Sequence, residues 1–383
     1  MHYIILAIVA GVSFFPLITG KLHLWLSQGL WIQTGIMVAY SWSFFEKPIR
    51  YIRNVPLGLL HFWVGLYTAY ICMQIQYTNK YDVKHFFPYF NFLCILMLYK
   101  FITSYLTRKD IERILTWMRY IIIITLFLCV AQRYGYSQYF EMLYIDDHVM
   151  WPHHNNPVVG FIGNGTHLSG FLASCSPLFL WKSKREDWLA LTLMFILLFY
   201  TGTSLGDPAL SGFIILSCIF LFFFKSNKIA LISMLVTGLI ACIVGYKFLP
   251  DNFLGGNGRI GYWAYYLQIF KKMPMSGIGL GTISAIFKNT PYPELQKLHM
   301  EFFQYLVEIG IIGFVLILNV CKRFFEIKTE DRLQLVLKSM VVGFLVSCCF
   351  NYPSHLWLPA SWTMFSYAAL MVLKEENNVS EFT

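Results

Sequence analysis

Residues 255–313 read GGNGRIGYWAYYLQIFKKMPMSGIGLGTISAIFKNTPYPELQKLHMEFFQYLVEIGIIG. This polar, glycine-punctuated stretch interrupts a chain otherwise built of long apolar runs. Arg259 opens it, and His299 closes it just before a new apolar helix begins. A guanidinium keeps its charge throughout the physiological range, whereas an imidazole titrates near neutrality. Both at a membrane surface, the two suit chemistry on a phosphorylated lipid. The spacing predicts a helix from Gly258 to Met273, with Trp263, Tyr266, Leu267 and Phe270 on one stripe lying along the membrane interface. Pro274 and the run Gly277, Gly279, Gly281 end that helix and permit positive φ and close backbone approach. Pro291 and Pro293 mark the approach to the next helix. Phe302, Phe303 and Leu306 follow His299 at helical spacing, so the imidazole is expected to share a face turned toward the bundle.

Outward from this stretch, composition sets the class. The chain is 57% hydrophobic and 13% charged, against about 25% charged for an ordinary soluble domain. Apolar runs of about 17–25 residues recur from end to end, the length a helix needs to cross the hydrocarbon core. The expected fold is therefore all-α: a single polytopic membrane domain over residues 1–383. About twelve transmembrane helices are predicted, near 1–20, 24–45, 55–75, 86–106, 114–131, 158–181, 188–203, 209–224, 229–249, 302–320, 333–350 and 359–373. A β-barrel would show short alternating segments instead. The first run lacks a basic leader and a small-residue cleavage site, so it is expected to persist as a helix.

Lys and Arg fix the expected orientation. One set of loops carries Lys47, Arg50, Arg53, Arg108, Lys109, Arg113, Arg119, Lys182, Lys184, Arg185, Lys225, Lys228, Lys322, Arg323, Lys328, Arg332 and Lys374. The opposite short loops hold Lys21, Lys80, Lys84 and Arg133. Both termini are then cytoplasmic. Two long loops, 132–157 and 250–301, face outward, the second lying between the ninth and tenth spans. The net charge of +9 follows from this layout, and the scatter of basic residues argues against nucleic acid as a partner. Cys94, Cys175, Cys218 and Cys242 sit in apolar runs and read as small hydrophobes. Asp146, Asp147, His148, His153 and His154 cluster in the first outer loop without ligand spacing and read as solvated.

The order Arg259, Trp263, Pro274, Gly277-Ile278-Gly279-Leu280-Gly281, His299 and Glu308-Ile309-Gly310-Ile311-Ile312-Gly313 resembles the O-antigen ligase and O-antigen polymerase superfamily of bacterial membrane glycan transferases. Upstream, Ala131-Gln132 and Val159-Gly160-Phe161-Ile162-Gly163-Asn164 look like that family's glutamine loop and the segment opening its next helix. Two departures stand out. Met300 occupies the place of a common Asn, and no Arg follows Thr203-Ser204.

The resemblance implies a transferase at the periplasmic face of the bacterial inner (plasma) membrane. It would move a glycan from undecaprenyl diphosphate to an acceptor hydroxyl, on lipid A-core for a ligase or on a lipid-linked repeat unit for a polymerase of O-antigen or capsular polysaccharide. His299 would be the general base and Arg259 the diphosphate ligand. Trp263, Gly279, Gly281, Asn164, Glu308 and His167 would line the substrate sites. The scheme calls for no metal and no cofactor. A flippase of lipid-linked sugar also needs many spans, but it would place its cations inside the bundle, and the spans here are poor in Lys and Arg.

Overall fold

The computed structural model describes residues 33–36, 38, 54–78, 86–134, 158, 160, 162, 165–182, 184–201, 259–283, 291, 297–298, 300–349 and 353–380. Every regular element among them is helical: α1 (Val55–Thr78), α2 (Phe86–Tyr105), α3 (Arg108–Arg133), α4 (Gly165–Cys175), α5 (Arg185–Thr201), α6 (Arg259–Lys272), α7 (Glu301–Phe325), α8 (Arg332–Cys348) and α9 (Trp357–Ser380). A 3-10 turn, Ser176–Leu180, extends α4, and another, Pro353–His355, leads into α9. Eight of the predicted helical stretches correspond to these elements. The predicted spans 1–20, 209–224 and 229–249 lie outside the described residues, as does most of 24–45.

Among the described residues, two helices, Arg108–Arg133 and Glu301–Phe325, are long and apolar enough to cross a membrane. The first starts six residues ahead of the predicted 114, because Asp110 accepts the Thr107 amide at 3.1 Å and closes the first turn. The predicted span at 158 becomes a helix only from Gly165 onward. Gly160, at φ 54°, does not have helical dihedrals.

One apolar core joins α2, α3, α4, α5, α8 and α9, with Leu98, Ile102, Met118, Leu172, Val336 and Phe365 buried in it. Trp362 of α9 meets Phe171 of α4 edge to face at 5.1 Å. Gly170 lets α4 approach α8 so closely that a Cβ there would stand 2.9 Å from the Ser347 hydroxyl. Polar contacts register the helix ends. Arg108 pairs with Asp331 at 2.7 Å, Asp331 caps α8 through the Gln334 amide at 2.8 Å, and Asn377 donates to Glu330. The starts of α3 and α8 and the end of α9 therefore lie together. The Lys338 ammonium reaches the Phe325 and Ile327 carbonyls at 3.2 and 2.5 Å, closing the C-terminal end of α7. Deeper in, Arg119 of α3 and Asp187 of α5 form a buried ion pair.

Candidate functional site

A second, smaller cluster carries the distinctive residues. Tyr262 and Tyr266 of α6 are buried with Ile283, Leu298 and Val307. The two tyrosine rings meet edge to face at 4.8 Å, and burial pushes the Tyr262 phenol up to about 12. The interfacial stripe expected on α6 is thus rotated. Tyr262 and Tyr266 face inward, Trp263 and Phe270 are half-buried, and Leu267 is exposed.

Beyond α6 the glycines behave as their spacing predicts: Gly277, Gly279 and Gly281 sit at φ 71°, 109° and 77°. Their partner is a break in α7 that the apolar run does not announce. At Gly310 (φ 69°, ψ −177°) the helix leaves helical geometry and then resumes. The groups freed by the break bond to the glycine turn. Val307 and Glu308 carbonyls accept from the Ile278 and Gly279 amides at 3.0 and 2.7 Å, and the Ile311 amide donates to the Pro274 carbonyl at 2.8 Å. Trp63 of α1 donates its indole N–H to the Ile309 carbonyl at 3.1 Å. A Cβ on Gly277 would stand 2.5 Å from the Glu308 carbonyl group, and one on Gly310 would overlap the Met275 oxygen. The G-x-G-x-G turn and the E-x-G segment are two halves of one lock. Away from water, non-helical backbone persists only where protein satisfies its polar groups.

Trp263 closes the cluster on its other side. Its indole N–H donates to the Leu298 carbonyl at 2.6 Å. Leu298 immediately precedes His299, and Arg259 is the first residue of α6, one turn before Trp263. The helix that begins with Arg259 is therefore fastened to the peptide that leads into His299. The Arg259 side chain, His299 and Asn164 lie outside the described residues.

The face that α7 buries differs from the expected one. Phe302, Phe303 and Leu306 are half-buried, whereas Glu301, Gln304, Val307 and Glu308 are buried. Polar side chains on an apolar helix seek protein partners, and these three find them. Glu308 accepts the Ile283 amide at 3.2 Å and the Gln304 amide at 3.4 Å. Glu301 accepts the Ser354 amide at 2.9 Å and pairs with His355 Nδ1 at 2.5 Å. Tyr305 meets the Ser354 hydroxyl. Lys297 borders the group, and withdrawal from water pushes its ammonium below the usual range, against the opposing pull of Glu308 and Glu301. Glu301, Gln304, Ser354, His355 and Trp63 do not stand out in a linear reading. A signal for four of them exists: Glu301 and Gln304 recur with Glu308 at i, i+3 and i+7, and Ser354-His355 breaks two apolar runs.

Of the sequence-derived candidates, the structure brings Trp263, Gly279, Gly281 and Glu308 into one cluster. His167 belongs elsewhere, buried in α4 within the main core. The upstream motif also folds on itself: the buried Gln132 side chain accepts the Gly160 amide at 2.9 Å, bringing residues 132 and 160 together. Asp146, Asp147, His148, His153 and His154 lie outside the described residues. No group of three or more metal-ligating side chains occurs among those described. No family model matches the chain, and no curated protein matches it.

Proposed function

We propose that this chain is an O-antigen ligase-like glycan transferase of a bacterial inner membrane, a multi-pass protein with both termini cytoplasmic. In this reading the acceptor hydroxyl oxygen attacks the anomeric carbon of a glycan on undecaprenyl diphosphate. The bond from that carbon to the diphosphate oxygen breaks, His299 takes the hydroxyl proton, and Arg259 holds the departing diphosphate. The observation that supports it most is the Trp263–Leu298 hydrogen bond. It couples the helix headed by the one strong cation of the motif to the residue before its one imidazole, over a linear separation of 35 residues. A glycine turn locked into a broken helix backs both, and such breaks in membrane helices characteristically border substrate sites.

The test has a genetic and a biochemical arm. Deleting the gene should remove long glycan from lipopolysaccharide and accumulate lipid-linked polymer. Cores bearing a single repeat unit would make the chain a polymerase with the same donor. In a purified assay His299→Ala should slow transfer by about 10²–10⁴-fold, and His299→Gln, which cannot take a proton at neutral pH, should be nearly as slow. Arg259→Lys keeps the charge and loses the bidentate fork, so it too should impair transfer. An active His299→Gln variant would remove the imidazole from the chemistry.

A further inference from the structure

A histidine elsewhere in the chain is connected to the Leu298 amide through Gln304. His355 is the last residue of the Pro353–His355 turn between α8 and α9, and α4, α8 and α9 all pack against that turn. Its Nδ1 lies 2.5 Å from Glu301 Oε1 and its Nε2 lies 3.1 Å from Gln304 Nε2. Its ring stacks on Tyr305 with centroids 6.0 Å apart. Gln304 Oε1 accepts the Leu298 amide at 3.1 Å.

These contacts set the donor and acceptor order from Leu298 to Glu301. A carboxylate only accepts, so His355 Nδ1 carries the hydrogen. The Gln304 oxygen is taken by Leu298 N–H, so the Gln304 amide nitrogen faces His355, whose Nε2 must present its lone pair. The order Glu301, His355, Gln304, Leu298 is then a one-way chain of hydrogen bonds. It ends on the peptide whose carbonyl Trp263 holds from the opposite side. Leu298 is gripped at both its N–H and its C=O, and the next residue in the chain is His299.

We infer that His355 is a positioning residue: through Gln304, and oriented by Glu301, it sets the direction in which the Leu298–His299 peptide leaves the loop. The consequence for transfer rests on the reading of His299 given above; the mechanical link does not. Glu301 and Ser354 alone would tether the turn to α7, so His355 is needed for the link to Gln304 rather than for the tether. Displacing a reacting group by about 1 Å can cost on the order of 10²-fold in rate.

The experiment uses the full chain in lipid nanodiscs, with hydrogen–deuterium exchange of the 297–300 region and steady-state transfer from undecaprenyl-diphosphate-linked glycan. His355→Leu removes the nearer of the two acceptors of the Gln304 amide, at 3.1 Å, and leaves the longer contact to Glu308 at 3.4 Å. Exchange at the Leu298 amide should rise about tenfold or more as the bond opens, and kcat should fall on the order of 10- to 100-fold with donor KM within about threefold. His355→Gln restores an acceptor at that distance and should recover most of both. Unchanged exchange in His355→Leu overturns the inference, and so does a Gln variant as impaired as the Leu one. Should His355→Leu not accumulate, Gln304→Leu cuts the chain at its next member, and unchanged transfer there overturns the inference equally. If the unaltered protein transfers no glycan while exchange follows this pattern, the functional reading falls and the positioning role stands.

Discussion

Adding one methyl group at Gly277 or Gly310 probes the lock directly. Each glycine combines a left-handed φ with backbone atoms at or inside 2.5 Å of a new Cβ, so neither strain nor overlap can relax through a side chain. Gly277→Ala and Gly310→Ala should each lower stability by about 3 kcal/mol or more, read as a fall in the thermal midpoint in detergent. Gly58→Ala is the control: nothing lies within 4 Å of its Cβ, and a helical Ala should gain about 0.5–1 kcal/mol. Lys297 supplies a pH signature. Because burial lowers its ammonium from 10.5, the folded chain binds fewer protons than the unfolded one between that lowered value and 10.5. Stability then rises with pH across the window. Lys297→Met should remove that rise, so midpoints of the two proteins measured from pH 8 upward should converge as pH approaches 10.5. Parallel curves would contradict the assignment. The turn glycines are legible in the sequence because three in alternation after a proline have few other uses. Gly310 is not, since one glycine in an apolar run is compatible with straight helix.

At the scale of elements, Trp263 ties α6 to the segment just ahead of α7 through the Leu298 carbonyl. Trp263→Phe keeps the ring and loses the donor. It should cost about 1–2 kcal/mol through an unsatisfied Leu298 carbonyl and slow transfer, with α6 becoming more accessible to limited proteolysis. Unaltered proteolysis would show that the tyrosine packing alone holds α6. Helix positions were readable because a membrane-crossing run has a required length, and α1, α2, α7, α8 and α9 begin within two residues of the expected limits. The inward face of α7 was misjudged for a physical reason. Hydrophobic periodicity assigns Phe302, Phe303 and Leu306 to the interior, but Glu301, Gln304 and Glu308 find hydrogen-bond partners within the protein and take the buried face. The partners that reveal this, Ser354 and His355, are more than 50 positions from Glu301 in sequence, beyond the reach of local pattern.

For the molecule as a whole, sidedness decides whether the cluster faces the compartment that lipid-linked glycan reaches. In a cysteine-free background, Met275→Cys should react with an impermeant maleimide from outside. Lys184→Cys and Lys328→Cys should react only after the membrane is opened. All three positions are exposed, so silence from both sides is not expected, and external labelling of 328 would invert the topology. The break in α7 carries a consequence for biogenesis. From Ile311 to Phe325 the uninterrupted helix rises only about 22 Å, short of the roughly 30 Å hydrocarbon layer. A membrane crossing by α7 would therefore need Glu301–Ile309, with its two carboxylates, to complete it. A nascent segment with that charge is a poor client for lateral release into lipid unless something receives it. The turn at Pro274–Gly279 precedes α7 in order of synthesis and already presents the matching amides and carbonyls. The chain thus translates the glycine turn before the helix whose break it satisfies in the folded protein.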